Sequence, residues 1–237
     1  MEDPRLTWVE ERKEWIIAYT AYSPSGPMVS LASTKDFVTF QRLGPVMPPE
    51  DKDAAVFPRR FGGRYAMIHR SVSAGSGAHI WLSFSPDLTH WGDHHILLPA
   101  RRGAWWDANK IGLSPPPLET PEGWLMMYHG VRHTPGGCLY RLGLALLHLE
   151  NPWQVLRRSD EWIFGPEMPY ERQGDVNGVV FPCGWIHDPA TGSIRMYYGG
   201  ADSCLALATA QLSDVLDDLR SCPAPPPRKR TSMAIVD

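Results

Sequence analysis

Trp124-Leu125-Met126-Met127-Tyr128 is a short aromatic-rich run with three counterparts, Trp15-Ile16-Ile17-Ala18-Tyr19, Tyr65-Ala66-Met67-Ile68-His69 and Ile194-Arg195-Met196-Tyr197-Tyr198. Each is bounded too closely for a helix and is rich in residues that suit a pleated surface. A proline marks the segment before each run, at Pro4, Pro58, Pro115 to Pro117 and Pro182. A second kind of run follows, in which small and apolar residues lead into a polar turn. Its copies are Val29 to Ser33 before Lys35-Asp36-Phe37, Ile80 to Phe84 before Pro86-Asp87-Leu88, Leu142 to Leu146 before Glu150-Asn151-Pro152-Trp153, and Leu205 to Thr209 before Leu212-Ser213-Asp214. The unit is a strand after a proline, an aromatic strand, a small-residue strand and a turn, and it occurs four times. Short strands repeated over several tens of residues predict an all-β chain of the β-propeller type. A β-sandwich is the competing reading.

One helix is expected, over Ser213 to Leu219, where Leu212, Val215, Leu216 and Leu219 keep helical spacing and Ser213 stands where a cap would. Residues 1–220 read as one domain, and 221–237 as a Pro-rich basic tail, expected to be extended or disordered, whose Arg228-Lys229-Arg230 cluster reads as solvated.

The 237 residues are 43% hydrophobic, enough for a substantial core, and carry a net charge of −3. That balance speaks against nucleic acid or an anionic membrane as partner, since both call for a concentrated basic surface. Cys138, Cys183, Cys204 and Cys222 lie far apart without a CxxC pair, so neither a zinc knuckle nor a disulfide framework is indicated, and a reducing cytoplasm is the expected setting. His94-His95 and the scattered carboxylates show no metal-ligand spacing, and no cofactor is expected.

In a propeller the first strands converge on the axis, so polar residues near the proline marks are candidates for a central pocket. They are Asp3 and Arg5, Lys52 and Asp53, Lys110, and Asp175 and Asn177; the ends of the second strands add His69, Arg70, His129 and Asp202. Arg70, Lys110 and His129 on one spot would make a socket for a small dianion, because charge-assisted hydrogen bonds from separate elements fix both charge and orientation. Asp3, if protonated, would serve as a general acid. An inverting hydrolase needs a second carboxylate to activate water, whereas phosphate as nucleophile needs cations in its place. The residue set favours phosphorolysis. His69 and His129 also read as satisfied core histidines, and Trp105, Trp106 and Tyr170 as sugar-stacking surfaces or core.

Glu2-Asp3-Pro4-Arg5, Lys52 to Pro58, Lys110-Ile111-Gly112 with Pro115 to Pro117, Gly123-Trp124 through Val131, Gly174-Asp175-Val176 with Val180 to Gly184, and Tyr197 to Asp202 together resemble glycoside hydrolase family 130, the β-mannoside phosphorylases and related mannosidases. The resemblance runs from Glu2 to about Leu219. It implies a five-bladed β-propeller, of which about four blades are present here, with a blade expected ahead of Glu2. It implies cleavage of a β-mannoside by inorganic phosphate, with inversion, to α-mannose 1-phosphate and an acceptor sugar. Asp3 would be the proton donor, acting through the mannose 3-hydroxyl. Arg70, Lys110, His129 and Lys52 would hold phosphate, and Asp202, Arg5, Asp53, Asp175 and Asn177 would contact sugar. The partners implied are a mannose-containing oligosaccharide and phosphate, with a homo-oligomer an open possibility. An inverting β-mannosidase using water and a non-catalytic mannoside-binding propeller are the alternatives.

Overall fold

The structure is a computed structural model and describes residues 1–73 and 77–225. The expected tail, with Arg228-Lys229-Arg230, falls largely outside the described residues. Among them the chain is nearly all strand. The first antiparallel meander is β1 (Glu2–Val9), β2 (Glu14–Ser23), β3 (Gly26–Thr34) and β4 (Phe40–Pro45). A second contains β5 (Asp51–Val56), β6 (Tyr65–Ser73), β7 (Gly77–Ala78), β8 (Ile80–Ser85) and β9 (Gly92–Leu98). The third has β10 (Lys110–Leu113), β11 (Leu118–Thr120), β12 (Gly123–Thr134), β13 (Gly137–Leu147) and β14 (Val155–Arg158). A short helix α1 (Pro169–Arg172) leads to the last meander, β15 (Val180–Asp188), β16 (Ser193–Gly200) and β17 (Cys204–Gln211), and to α2 (Leu212–Ser221). The two-residue β7 pairs with both β6 and β10 and so joins the second and third meanders into one ten-stranded sheet.

The aromatic and small-residue runs fall on β2, β6, β12 and β16, and on β3, β8, β13 and β17. Three details differ from the sequence reading. Pro58 and Pro115 to Pro117 follow the first strands β5 and β10 instead of preceding them. The first three meanders gain a fourth strand, β4, β9 or β14, with little hydrophobic pattern to announce it. Leu212-Ser213-Asp214 opens α2 rather than forming a turn; its N-cap is Gln211, and the Ser213 hydroxyl donates to Asp214 Oδ1 instead of capping.

The turns explain why the unit repeats. Thr34 Oγ1 accepts from the Phe37 amide at 2.9 Å while Asp36 Oδ1 accepts from the Val38 and Thr39 amides. Ser85 and Asp87 repeat this, with Oγ accepting from the Leu88 amide at 2.8 Å and Oδ1 accepting from Thr89 and His90. Phe37 and Leu88 both take positive φ, 57° and 71°, as this local side-chain bonding demands.

The meanders pack face to face in chain order. Val9, Ile16, Leu31, Val56, Tyr65 and Met67 share one core between the first and second. Phe57, Ile68, Leu82, Leu113, Trp124 and Tyr128 share the next, and Leu125, Leu144, Val180, Met196, Leu216 and Leu219 the last. Alternation sends Trp124, Met126 and Tyr128 of β12 to one neighbour and Leu125 and Met127 to the other. The middle strands are therefore apolar on both faces and read as unbroken runs. On β17, Leu205 and Leu207 stay 77% and 52% exposed. The first strands meet one another, with β1 against β5 and β15, and β10 against β5.

Candidate active site

The converging first strands are distorted where they carry the candidate residues. Pairing of β1 with β2 slips between Glu2 and Arg5, with Asp3 at φ 51°; pairing of β5 with β6 slips between Lys52 and Ala55, with Asp53 at φ 53°. Left-handed backbone is costly for most side chains and better tolerated by aspartate, and a bulge re-aims the residue it carries. Both aspartates meet Arg5 as a result. The guanidinium of Arg5 is buried: Nε donates to Ser114 O (3.1 Å), Nη2 to Leu113 O (2.9 Å) and Nη1 to Asp3 O (2.8 Å), and Nη2 lies 3.7 Å from Asp53 Oδ1. Arg5, expected to contact sugar, clasps β1 to β10 through three of its five N–H donors.

Asp53 is likewise closed in, at 1% exposure. Its Oδ2 accepts from Arg70 Nε at 2.7 Å and lies 3.4 Å from His129 Nε2. Burial opposes its charge, but Arg70 and Arg5 outweigh it and hold the carboxyl far below the usual carboxylate range. Asp53, expected to contact sugar, is thus the buried counter-ion that orients Arg70. His129 differs from the sequence reading in charge: burial pushes its imidazole down to about 3, against the pull of Asp53, so the ring is neutral at pH 7. Its Nδ1 is buried without a hydrogen-bond partner among the described residues.

This closeness depends on Gly112, which stands opposite His129 in the β10–β12 ladder. A Cβ there would lie 2.6 and 2.7 Å from His129 Cε1 and Nε2, and closer still to Asp53 Oδ2. Gly112→Ala is expected to cost about 1–3 kcal/mol through overpacking. Thermal unfolding would read this as a lower midpoint, and an unchanged midpoint would show that the cluster has slack.

Lys52 and Lys110 are partly buried and make no ion pair among the described residues. Burial, then the neighbouring Arg70 and Lys52, lowers the Lys110 ammonium, with Asp53 opposing. Its Nζ lies 5.8 Å from the Tyr140 ring centroid, and Tyr140 in turn stacks on His129. Asp3 is shifted the other way. Burial, with Asp53 and Glu2, raises its carboxyl above the ordinary value against Arg5 and Lys52. Arg5, Arg70, Lys52 and Lys110 thus surround two carboxylates, Asp53 and Asp3, the second of which has its pKa raised.

Asp202 is exposed, at φ 53°, and stands within electrostatic reach of Tyr140. Asp175 and Asn177 are also exposed, and no hydrogen bond or ion pair among the described residues ties either to the cluster. The Asp175 amide donates to Ser203 Oγ and Asn177 Oδ1 accepts from the Gly174 amide, so both shape the loop lying against the Asp202 turn.

A family model described as beta-1,4-mannooligosaccharide phosphorylase matches residues 1–221. The chain belongs to glycoside hydrolase family 130. It is 37% identical over 222 residues to a beta-1,4-mannooligosaccharide phosphorylase of Ruminococcus albus, covering 92% of this chain and 65% of that one. It is 34% identical to a 1,2-beta-oligomannan phosphorylase of Thermoanaerobacter sp., covering 91% and 69%. The solved beta-1,2-mannobiose phosphorylase of Listeria innocua, in complex with beta-1,2-mannobiose, superposes with a TM-score of 0.85 at 35% identity, over 92% of this chain and 60% of that one. The chain spans 60% to 69% of the length of these family 130 relatives.

Other sequence candidates of this family 130 chain have structural work. Strand alternation turns His69 away from Arg70; its Nδ1 lies 2.6 Å from Asp51 Oδ2 and its Nε2 2.7 Å from Ser83 Oγ, which also meets His94 Nδ1 at 2.7 Å. His69 is a satisfied core histidine. Trp106 stacks on Tyr128 and donates to Asp160 O, whereas Trp105 and Tyr170 are 41% and 43% exposed. Among the described residues no group of three or more His, Cys, Asp or Glu is placed to hold a metal ion. Tyr140, Gly112 and Phe181, whose ring centroid lies 5.0 Å from that of His129, were missed as site residues. Only strand pairing reveals Tyr140, which sits opposite Val131 and beside His129.

Proposed function

We propose that this chain carries the reacting pocket of a β-mannoside phosphorylase, with its four meanders as blades of a five-bladed propeller whose first strands surround the axis. The repeat, the face-to-face packing and the converging first strands support the propeller reading. The observation that carries the activity is electrostatic: Lys52 and Lys110, without ion pairs among the described residues, stand beside Arg70 and a neutral His129 around an acid whose pKa burial raises. That excess of positive charge suits an oxyanion such as inorganic phosphate, which would also return Lys110 toward its ordinary value.

In this reading phosphate rests on Arg70, Lys110 and Lys52, with the His129 ring as a neutral hydrogen-bonding partner. It attacks the anomeric carbon of the mannosyl unit while Asp3 supplies the proton needed by the departing acceptor sugar. Asp202, on the exposed turn near Tyr140, contacts the sugar. Arg5 and Asp53 hold Asp3 and Arg70 in place. A hydrolytic mechanism is less well served, because Asp53, held ionised by arginines, is a weak base for water. The names of the relatives, phosphorylases of β-1,4- and β-1,2-linked mannosides, agree with phosphate as nucleophile and leave the linkage open.

The deciding assay incubates the protein with β-1,4-mannobiose or β-1,2-mannobiose and inorganic phosphate, following α-mannose 1-phosphate and free mannose. Phosphate-dependent sugar phosphate is the expected product. Free mannose at a rate indifferent to phosphate would assign the pocket to hydrolysis. Lys110→Met should raise KM for phosphate by about 10- to 100-fold, the worth of one hydrogen bond to a charged group. An unchanged KM would remove Lys110 from the phosphate socket.

A further inference from the structure

The β12–β13 hairpin has two faces, and the cation cluster uses one. His129 and Val131 share that face with Tyr140, the cross-strand partner of Val131. Strand alternation puts Arg132, paired with Leu139, and Arg141, paired with Gly130, on the other. There a cleft of about 400 Å³ opens between the hairpin, the loop before β10 and the loop after β14, with Trp105, Trp162, Arg132, Leu139, Arg141 and Glu161 among its lining residues. We propose that this cleft is a second, non-catalytic carbohydrate site that holds part of a β-mannan chain away from the reacting pocket. The choice of glycan rests on the mannoside reading above; the cleft itself does not.

Its aromatic surfaces are exposed yet held. Trp105 and Trp162 are 41% and 39% exposed, and each lies beside a guanidinium, Arg101 at 4.2 Å from the Trp105 ring centroid and Arg141 at 4.8 Å from that of Trp162. Trp106 beneath them is fixed by its bond to Asp160 O and by two glycines of the hairpin, since a Cβ at Gly130 or Gly143 would enter its ring. Arg132 is anchored by donating to Ala104 O at 2.7 Å. The platform is therefore preorganised, which lowers the entropic cost of binding.

The lining also selects among occupants. A pyranose presents apolar C–H faces to indoles and hydroxyls at its edge, which suits tryptophans set between arginine donors and a carboxylate acceptor. An apolar segment would cover the Glu161 carboxylate and the guanidinium donors that Arg132 and Arg141 do not spend on the Ala104 and Tyr140 carbonyls, and a phosphate ester would meet the Glu161 carboxylate. The volume falls within the range of about 300–1,000 Å³ usual for small-ligand sites, room for part of an oligosaccharide.

Calorimetric titration with β-1,4-mannotetraose and β-1,2-mannotetraose, without phosphate, tests this. Wild type is expected to bind one of them at two sites of different affinity. Trp105→Ala with Trp162→Ala should weaken one of these by at least about tenfold, the scale of a lost aromatic contact, and leave turnover of mannobiose unchanged. Leu139→Glu, at an exposed cleft position away from the core, should do the same and covers the case in which the tryptophan variant fails to fold. Two intact binding events in Leu139→Glu would overturn the proposal. So would a shift in oligomeric state on size exclusion with glycan binding unchanged, which would give the cleft to a second copy of the chain. Because binding is read without phosphate, a protein that binds at the cleft yet makes no sugar phosphate would keep this inference and sink the phosphorylase reading.

Discussion

Asp3→Asn is expected to lower turnover of β-mannoside by about 10³-fold, the scale of a lost general acid, while leaving KM for phosphate nearly unchanged. The residue must be protonated to act, so the wild-type rate falls as pH rises through its pKa. Burial has raised that pKa, which moves the fall upward from the ordinary value of 3.8. Asparagine keeps the shape but has no proton to give, so the variant should lose that limb of the profile. Stability separates this role from a structural one. A carboxylate whose folded pKa is raised destabilises the folded state as pH climbs past the unfolded value of 3.8. Asp3→Asn should therefore be at least as stable as wild type at pH 7. Full activity in a folded Asp3→Asn protein would remove Asp3 from the chemistry.

Asp53→Asn is expected to act through the fold, at a cost of about 3–5 kcal/mol at neutral pH, because it leaves buried cations without their counter-ion. Arg70 would lose the charge on the oxygen accepting its 2.7 Å bond, and Arg5 the charge at 3.7 Å. The folded pKa of Asp53 is depressed, so its contribution is present above the unfolded value of 3.8 and is lost as pH falls through the folded one. Urea unfolding at pH 7 should show the full gap between variant and wild type, and the gap should narrow on acidification below about pH 4. A difference under about 1 kcal/mol at pH 7 would mean that water already reaches these arginines.

Much of this architecture was legible in the chain. Strand segments announced themselves where both faces are buried, as at Trp124 to Tyr128, since such strands need an unbroken apolar run. The outer strands β4, β9 and β14 did not, because an edge strand with one exposed face carries little pattern. Ser213 was misplaced as a cap because the residue type favours caps, while the chain leaves β17 only at Gln211 and starts α2 one residue before the serine.

The residue types of the candidate site were also legible, since acids and cations beside first strands are few. Their duties were not. Arg5 and Arg70 look alike in sequence, yet one is tied to the carbonyls of Leu113 and Ser114 and the other is steered by a single carboxylate. His129 reads as a possible cation and is neutral because burial outweighs Asp53. Sequence by itself determined the repeat, the strand content and the stock of charged groups, because these follow from local pattern and composition. Only the tertiary structure decided which charges are spent on each other and which remain for a ligand, because burial and the distances between strands far apart in the chain set the electrostatics of the pocket.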